Sequence, residues 1–123
     1  MNMISKENIN EVMEKYRDFH DSSLISIYYD IYNQKIEITI NLFWEINENK
    51  EYNRSKNNLK MIFEKVKECN IKENNSWDFI QEAYMKYITT EDSKEMLCFS
   101  SDEENPLYYI ICENIRFEII NKN

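Results

Sequence analysis

Residues 24–46 read LISIYYDIYNQKIEITINLFWEI. From Lys35 to Ile46, the residues Ile36, Ile38, Ile40, Leu42, Trp44 and Ile46 take every second position, with mostly polar residues between them. That period of two marks a strand with one buried face. Upstream, Ile25, Ile27, Tyr29 and Ile31 alternate with Leu24, Ser26, Tyr28 and Asp30. A two-residue turn at Asn33-Gln34 would join the runs and pair Ile31 with Ile36, Tyr29 with Ile38, Ile27 with Ile40 and Ile25 with Leu42. All four pairs are apolar and share a face, and a slip of one residue would set each against a polar partner. The stretch therefore predicts an antiparallel hairpin in that register.

Working outward, residues 5–19 predict an amphipathic helix. Ile9, Val12, Met13, Tyr16 and Phe19 form its apolar stripe, Ser5 is the N-cap, and Ile4 staples onto Ile9. Residues 59–72 fit two patterns: Leu59, Ile62, Phe63 and Val66 have helical spacing, while Leu59, Met61 and Phe63 alternate as in a strand with a bulge at Glu64-Lys65. Residues 76–88 lean toward a helix capped by Ser76, with Trp77, Ile80, Tyr84 and Tyr87 at helical spacing and a strand as the alternative. Residues 95–99 and 107–120 predict two strands joined by an acidic turn. Leu107, Tyr109 and Ile111 alternate, as do Ile115, Phe117 and Ile119, and Glu113-Asn114 between them is a candidate bulge.

With 123 residues, the chain fits one domain, residues 1–123, able to bury roughly 65% of its unfolded surface without a disulfide or metal staple. Nine tyrosines, six phenylalanines and two tryptophans supply core bulk. There is no glycine and one proline, so no phosphate-cradling glycine loop can form. Positions with positive φ then fall to Asn and Asp, and Asn47-Glu48-Asn49, Asn57-Asn58 and Asn74-Asn75 fit that role. Cys69, Cys98 and Cys112 lack CxxC spacing and sit in apolar stretches, which reads as buried, reduced thiols; with one histidine, no zinc site is expected. No apolar run approaches the length of a membrane span and the start lacks a signal-peptide core, so the expected location is the cytoplasm.

The net charge of −8 argues against a nucleic-acid partner. Acidic residues concentrate in the last third, where Asp102, Glu103 and Glu104 would attract a basic protein. No cofactor is implied.

One polar cluster invites a catalytic reading: Phe19-His20-Asp21-Ser22-Ser23 holds the only histidine, an aspartate and two serines. A triad needs the nucleophile on one imidazole nitrogen and the acid on the other. Adjacent residues on an extended chain point to opposite faces, so His20 cannot readily engage both neighbours. The cluster also lies where a helix must end and a strand begin, a place where Asp and Ser bond nearby backbone. Phe19, His20, Asp21 and Ser22 are therefore read as a structural junction held by His20 and Asp21, with a small enzyme centred on His20 as the alternative. Glu37 and Glu45 read as a solvated face of one strand. Tyr28, Tyr32, Trp44 and Tyr108 could form an exposed aromatic patch, but core packing accounts for most of them; Tyr28, Tyr32 and Trp44 are candidate partner-binding residues.

The opening Phe19-His20-Asp21-Ser22, followed by the alternating hairpin, resembles the start of a group of small bacterial proteins. Phe63-Glu64-Lys65-Val66 is similar to their central F-x-x-V. Ile111-Cys112-Glu113-Asn114-Ile115-Arg116-Phe117-Glu118 is similar to their closing strand. Members are mostly of unknown function, and some are assigned as immunity proteins encoded beside polymorphic toxins. The resemblance spans most of residues 19–120 and is weakest over 73–94. It implies a strand at 59–72 and no catalytic residues. The resulting expectation is an α+β fold, with an N-terminal helix packed on a mainly antiparallel sheet and a possible second helix at 76–88. The expected function is non-catalytic binding of a basic protein such as a toxin, with a homo-oligomeric structural domain as a further alternative.

Overall fold

The computed structural model describes residues 2–71, 80, 82–101 and 108–122. The described residues form mostly antiparallel sheet with one short α-helix. A short β1 (Asn2–Met3) precedes α1 (Ile9–Lys15). Then come β2 (Ser23–Asp30), β3 (Lys35–Asn41), β4 (Trp44–Ile46), β5 (Tyr52–Arg54), β6 (Asn57–Ile71), β7 (Tyr84–Thr89), β8 (Glu95–Ser100) and β9 (Tyr108–Asn121). The main sheet runs β2-β3-β6-β9-β8-β7, and β1 adds to β9 at Asn2–Phe117 and Met3–Arg116. β4 and β5 form a separate two-stranded sheet.

The hairpin exists, but its register differs from the expected one. Tyr29 faces Ile36, Ile27 faces Ile38 and Ser26 faces Thr39, two residues away from the expected pairing. The cause is the turn, which takes four residues, Ile31 to Gln34, instead of two. The Asp30 carboxylate accepts hydrogen bonds from the Asn33 backbone N–H (3.1 Å) and its side-chain amide (2.7 Å). The Gln34 N–H closes the turn on the Ile31 carbonyl, with Gln34 at φ 53°. A shift of two preserves faces, so Ile27 meets Ile38 in place of Ile40, another buried isoleucine of the same face. Beyond Ser26 a bulge changes parity and sets Leu24, not Ile25, opposite Ile40. Leu24 packs on the core while Ile25 is exposed. The predicted single strand 35–46 also breaks: after the buried Leu42 the chain leaves the main sheet, and Trp44–Ile46 pairs with Tyr52–Arg54. Glu37 and Glu45 therefore do not share a strand. Glu37 sits between Lys35 (3.6 Å) and Lys60 (3.7 Å), while Glu45 accepts from Ser55 and Asn57.

Residues 57–71 are one long strand, which resolves the ambiguity at 59–72 in favour of sheet for all but Lys72, which lies outside the described residues. β6 and β9 stay in register from Asn57–Asn121 to Val66–Cys112. Along β9, Ile110 and Cys112 enter the main core, and so do Ile115 and Phe117, so the inward parity switches between residues 112 and 115. The switch falls at the expected break, Glu113-Asn114. On the facing strand Lys65 takes φ 52°, and a register shift follows between Val66 and Glu68. A switch of parity in both strands bends the sheet without breaking its ladder.

The helix is shorter than residues 5–19. Its first bond runs from the Ile9 N–H to the Ser5 carbonyl, and the Asn8 side chain accepts the Ser5 N–H at 2.8 Å. The helix ends at Lys15 because the chain then turns left-handed. Ile4, Ile9, Val12, Met13, Tyr16 and Phe19 belong to the same buried cluster as Ile38, Leu59, Phe63, Leu97, Phe99 and Ile115.

The helix expected at 76–88 is corrected to a strand over its second half. Residues 76–79 and 81 lie outside the described residues, and Tyr84–Thr89 is β7. Met85 and Tyr87 pack toward the main cluster, while Tyr84 and Ile88 pack with Met96, Cys98 and Ile111 on the other face. A strand with apolar side chains packed on both faces carries them at both parities, and that pattern imitates helical spacing.

Two expectations about residue types also change. The described residues with positive φ are Arg17, Asp18, Phe19, Asp21, Gln34, Lys50, Lys65 and Ser93; aspartate supplies two of them, as expected, and asparagine none. Asn47 instead organises its turn through its side chain, accepting from Asn49 (2.8 Å) and Glu51 (3.0 Å). Cys98 and Cys112 are buried, but Cys69 is exposed. It lies on the part of β6 that runs past the end of β3, beside Tyr29 in an open cleft of about 210 Å³. Burial pushes the Cys112 thiol up to about 12, and burial also raises Cys98. One thiol per native chain should therefore react quickly with a thiol reagent, with the other two appearing only after denaturant is added. Mass-mapped labelling that found Cys98 or Cys112 fast, or Cys69 silent, would contradict this burial pattern.

Candidate functional site

The corner after α1 is built from one unusual turn. Arg17, Asp18 and Phe19 take φ of 53°, 52° and 58°, and Asp21 follows at 63°. Each such L-residue costs about 1–2 kcal/mol, so the surroundings must hold the turn in place. The Phe19 N–H donates to the Tyr16 carbonyl, His20 to Arg17 and Ser22 to Phe19. From across the fold, the Ala83 N–H donates to the Asp18 carbonyl (2.9 Å). The Asp21 N–H donates to Ile80 (3.0 Å), and the Ile80 N–H donates to Ser22 (2.7 Å). The Phe19 ring is fully buried, stacked on Tyr16 and edge-on to Phe99. The turn thus drives Phe19 into the core while Arg17 faces solvent.

Each member of the polar cluster has its own task. Ser22 is buried, and its Oγ accepts the Phe43 N–H at 3.1 Å. Asp21 Oδ2 accepts the indole N–H of Trp44 at 3.1 Å. His20 Nδ1 lies 3.0 Å from the same oxygen but off-line for a hydrogen bond, so that pair is an electrostatic contact. The Trp44 hydrogen bond first, and His20 after it, hold the Asp21 carboxyl below its usual range. No hydrogen bond joins Ser22 Oγ to the imidazole. The His20 and Asp21 side chains are each about half exposed, and the buried fastening of the junction is made by Phe19 and Ser22.

Four side chains at this corner escaped the sequence reading: Arg17, Phe43, Tyr52 and Arg54. The Arg17 guanidinium lies 5.3 Å from the Trp44 ring and 5.9 Å from Tyr52. Arg54 lies 3.9 Å from the Phe43 ring, and Phe43 meets Trp44 edge-on at 4.7 Å. Trp44 and Arg54 are cross-strand partners in β4–β5. The Tyr52 hydroxyl donates to the Glu14 carbonyl, tying this small sheet to the helix. Beneath it, the Lys122 ammonium donates to the carbonyls of Leu42 (2.7 Å) and Ser55 (3.2 Å). Burial, and after it Arg54, lowers the Lys122 pKa. The only sequence signal for this grouping was the Asn-rich stretch 47–49, which marks the β4–β5 turn but says nothing about which residues it pairs.

Asp18 is the one carboxylate here held above its usual range, by burial first and by Glu82 second. A carboxyl whose pKa is raised on folding weakens the fold once the pH exceeds that pKa, and the penalty disappears as the pH falls. Asp18→Asn removes the charge and still tolerates the left-handed backbone. It should raise the melting temperature near neutral pH and leave it unchanged at about pH 3, below the usual carboxylate range. Equal shifts at both pH values would assign the effect to something other than the charge.

The remaining candidates are dispersed. Tyr28 and Tyr32 sit on the β2–β3 hairpin, 63% and 94% exposed. Ile31 (86%) and Ile25 (54%) extend that surface, and the outer edge of β2 carries no strand among the described residues. Tyr108 is buried, in line with core packing, so the four residues do not form one exposed aromatic patch. Asp102, Glu103 and Glu104 lie outside the described residues. No described helix is long and apolar enough to cross a membrane. Compared with protein-family models and with curated proteins, the chain matches none.

Proposed function

We propose that this chain is a non-catalytic binding protein of the immunity type, a single cytoplasmic domain that neutralises a protein partner by covering it. The observation that carries this reading is the β2 edge with its hairpin tip, which presents Ile25, Tyr28, Tyr29, Ile31 and Tyr32 to solvent. Proteins normally blunt a sheet edge with Lys or Pro, and β2, Ser-Leu-Ile-Ser-Ile-Tyr-Tyr-Asp, has neither. Exposed aromatic and branched side chains along one strand and its turn match the residue types of an interface. The outer edge of β2, which carries no strand among the described residues, is open to a partner. The net charge of −8 would steer a basic protein toward the chain before contact.

The test is co-expression with the product of a toxin gene encoded beside this one. Growth should be rescued, and a stoichiometric complex should survive size-exclusion chromatography. Ile31→Lys combined with Tyr32→Lys should weaken that complex by at least about tenfold, the scale for losing one buried anchor, with the melting temperature unchanged. Failure to rescue growth, or a complex indifferent to both substitutions, overturns the proposal. A dimer of the chain alone that these substitutions dissolve would assign the edge to a second copy instead.

A further inference from the structure

The chain has three arginines, and they divide by surroundings. Arg116 Nε lies 3.0 Å from Glu64 Oε1. Arg17 and Arg54 form no ion pair among the described residues; both are exposed, Arg17 lies over Trp44 and Tyr52, Arg54 lies over Phe43, and the Phe43 and Trp44 rings touch edge-on. A guanidinium lying over a ring spends its π-face on that contact and leaves its in-plane N–H fork free. That fork matches a carboxylate in two parallel charge-assisted hydrogen bonds.

We propose that Arg17 and Arg54 form a two-pronged site for carboxylates presented by a protein partner, with Trp44, Tyr52 and Phe43 as its aromatic floor. This deepens the binding-protein reading by naming chemistry at the contact, and it rests on that reading for its biological setting. Arg, Trp and Tyr are the residue types that dominate binding energy at protein interfaces. Both prongs are pre-organised. The Arg17 backbone is locked by the left-handed turn and its hydrogen bonds. The Arg54 backbone is held by its pairing with Trp44, and the Ser55 N–H bonds the Phe43 carbonyl at 2.8 Å. Groups fixed before binding lose less entropy on contact.

A nucleic acid fits less well. Its affinity comes from many phosphates tracked in sequence, whereas Glu14, Asp18, Asp21 and Glu45 are interspersed around these two arginines. Local carboxylates tolerate one or two incoming anions seated on fixed forks but repel a continuous anionic backbone. A partner that is basic overall still carries surface carboxylates. Steering acts across a Debye length, while the forks act at contact.

The test follows the Arg17 and Arg54 Nε–H and Trp44 Nε1–H resonances by NMR at constant ionic strength. The probes are hexaglutamate peptide, glutarate, inorganic phosphate, an oligothymidylate and hexalysine. Hexaglutamate should shift all three resonances saturably, and glutarate should do so more weakly. Arg17→Ala and Arg54→Ala should each weaken hexaglutamate about tenfold, the scale of a charge-assisted hydrogen bond. Arg17→Lys should not restore binding, because an ammonium keeps the charge but lacks the planar fork. Arg17→Gln serves as a second truncation if the alanine variant melts early. The absence of saturable shifts, or equal shifts with hexalysine, overturns the site. Tighter binding of phosphate or oligothymidylate overturns the protein assignment in favour of a phosphate ligand. If hexaglutamate fails while growth rescue persists in the Arg17→Ala, Arg54→Ala double variant, this inference falls and the binding-protein reading stands.

Discussion

Ile38→Asp should destabilise the chain by about 4 kcal/mol or more, the combined scale of removing a buried isoleucine and burying an unpaired carboxylate. Ile38 is 1% exposed, and its Cα partners are Ile27 on one side and Met61 on the other. The site cannot relax toward water, because β3 is an interior strand with β2 and β6 on its flanks. Thr39→Asp, one residue along, points to the opposite face, where Ser26 and Lys60 are its neighbours. It should cost under about 1 kcal/mol, the usual allowance for a surface change. Urea melts with matched m-values would make the comparison. Similar losses at the two positions would mean that the faces of β3 are wrongly assigned.

The second large effect is expected at Phe19. Phe19→Ala should cost about 3–5 kcal/mol, the range for emptying a fully buried aromatic site. Its ring packs on Tyr16 and Phe99, so the loss spreads from the corner into the sheet. The backbone makes a sharper test. Gly is ordinarily worse than Ala, by about 0.5–1 kcal/mol, inside a folded element. At φ 58° that order should reverse, because alanine keeps the Cβ clash and glycine does not. Phe19→Gly should therefore be no less stable than Phe19→Ala, and a clear advantage for alanine would rule out the left-handed turn. At the same corner Ser22→Ala should cost about 1–2 kcal/mol, since it leaves the Phe43 N–H without its partner in a partly buried position. His20→Ala should move the melting temperature much less, because the His20 and Asp21 side chains are each about half exposed and no hydrogen bond joins them. A larger loss at His20 than at Ser22 would return the junction to the histidine.

The corner shows why a site can be half legible. Phe19-His20-Asp21-Ser22 stands out because helix and strand patterns both stop there, so its place between α1 and β2 was legible from local rules. Which members bear the load did not follow. Ser22 is buried because Phe43 arrives 21 residues later to donate to it, and Asp21 is engaged because Trp44 comes with Phe43. Arg17 and Arg54 carried no signal, since a lone arginine beside a polar segment looks like any solvated charge. Their meaning appears only once β4 and β5 leave the main sheet and stack rings beneath them.

By itself, the sequence determined the antiparallel, strand-rich character of the chain, the buried alternation of Ile36, Ile38, Ile40 and Leu42, the two closing strands and the break at Glu113-Asn114. These are short-range properties: side chains alternate every residue, and a run of isoleucines at period two can bury only one way. Tertiary structure decided the register, the bulge at Ile25, the end of the helix at Lys15 and the strand at Tyr84–Thr89. A shift of two residues leaves every face unchanged, so alternation cannot choose between the two registers; the Asp30–Asn33 hydrogen bonds in the turn make that choice. A strand with apolar side chains packed on both faces loses its alternation and resembles a helix until its neighbours are in place. Three consecutive left-handed residues without glycine are locally unfavourable, and only the burial of Phe19 together with hydrogen bonds from Ile80 and Ala83 makes that turn the stable one.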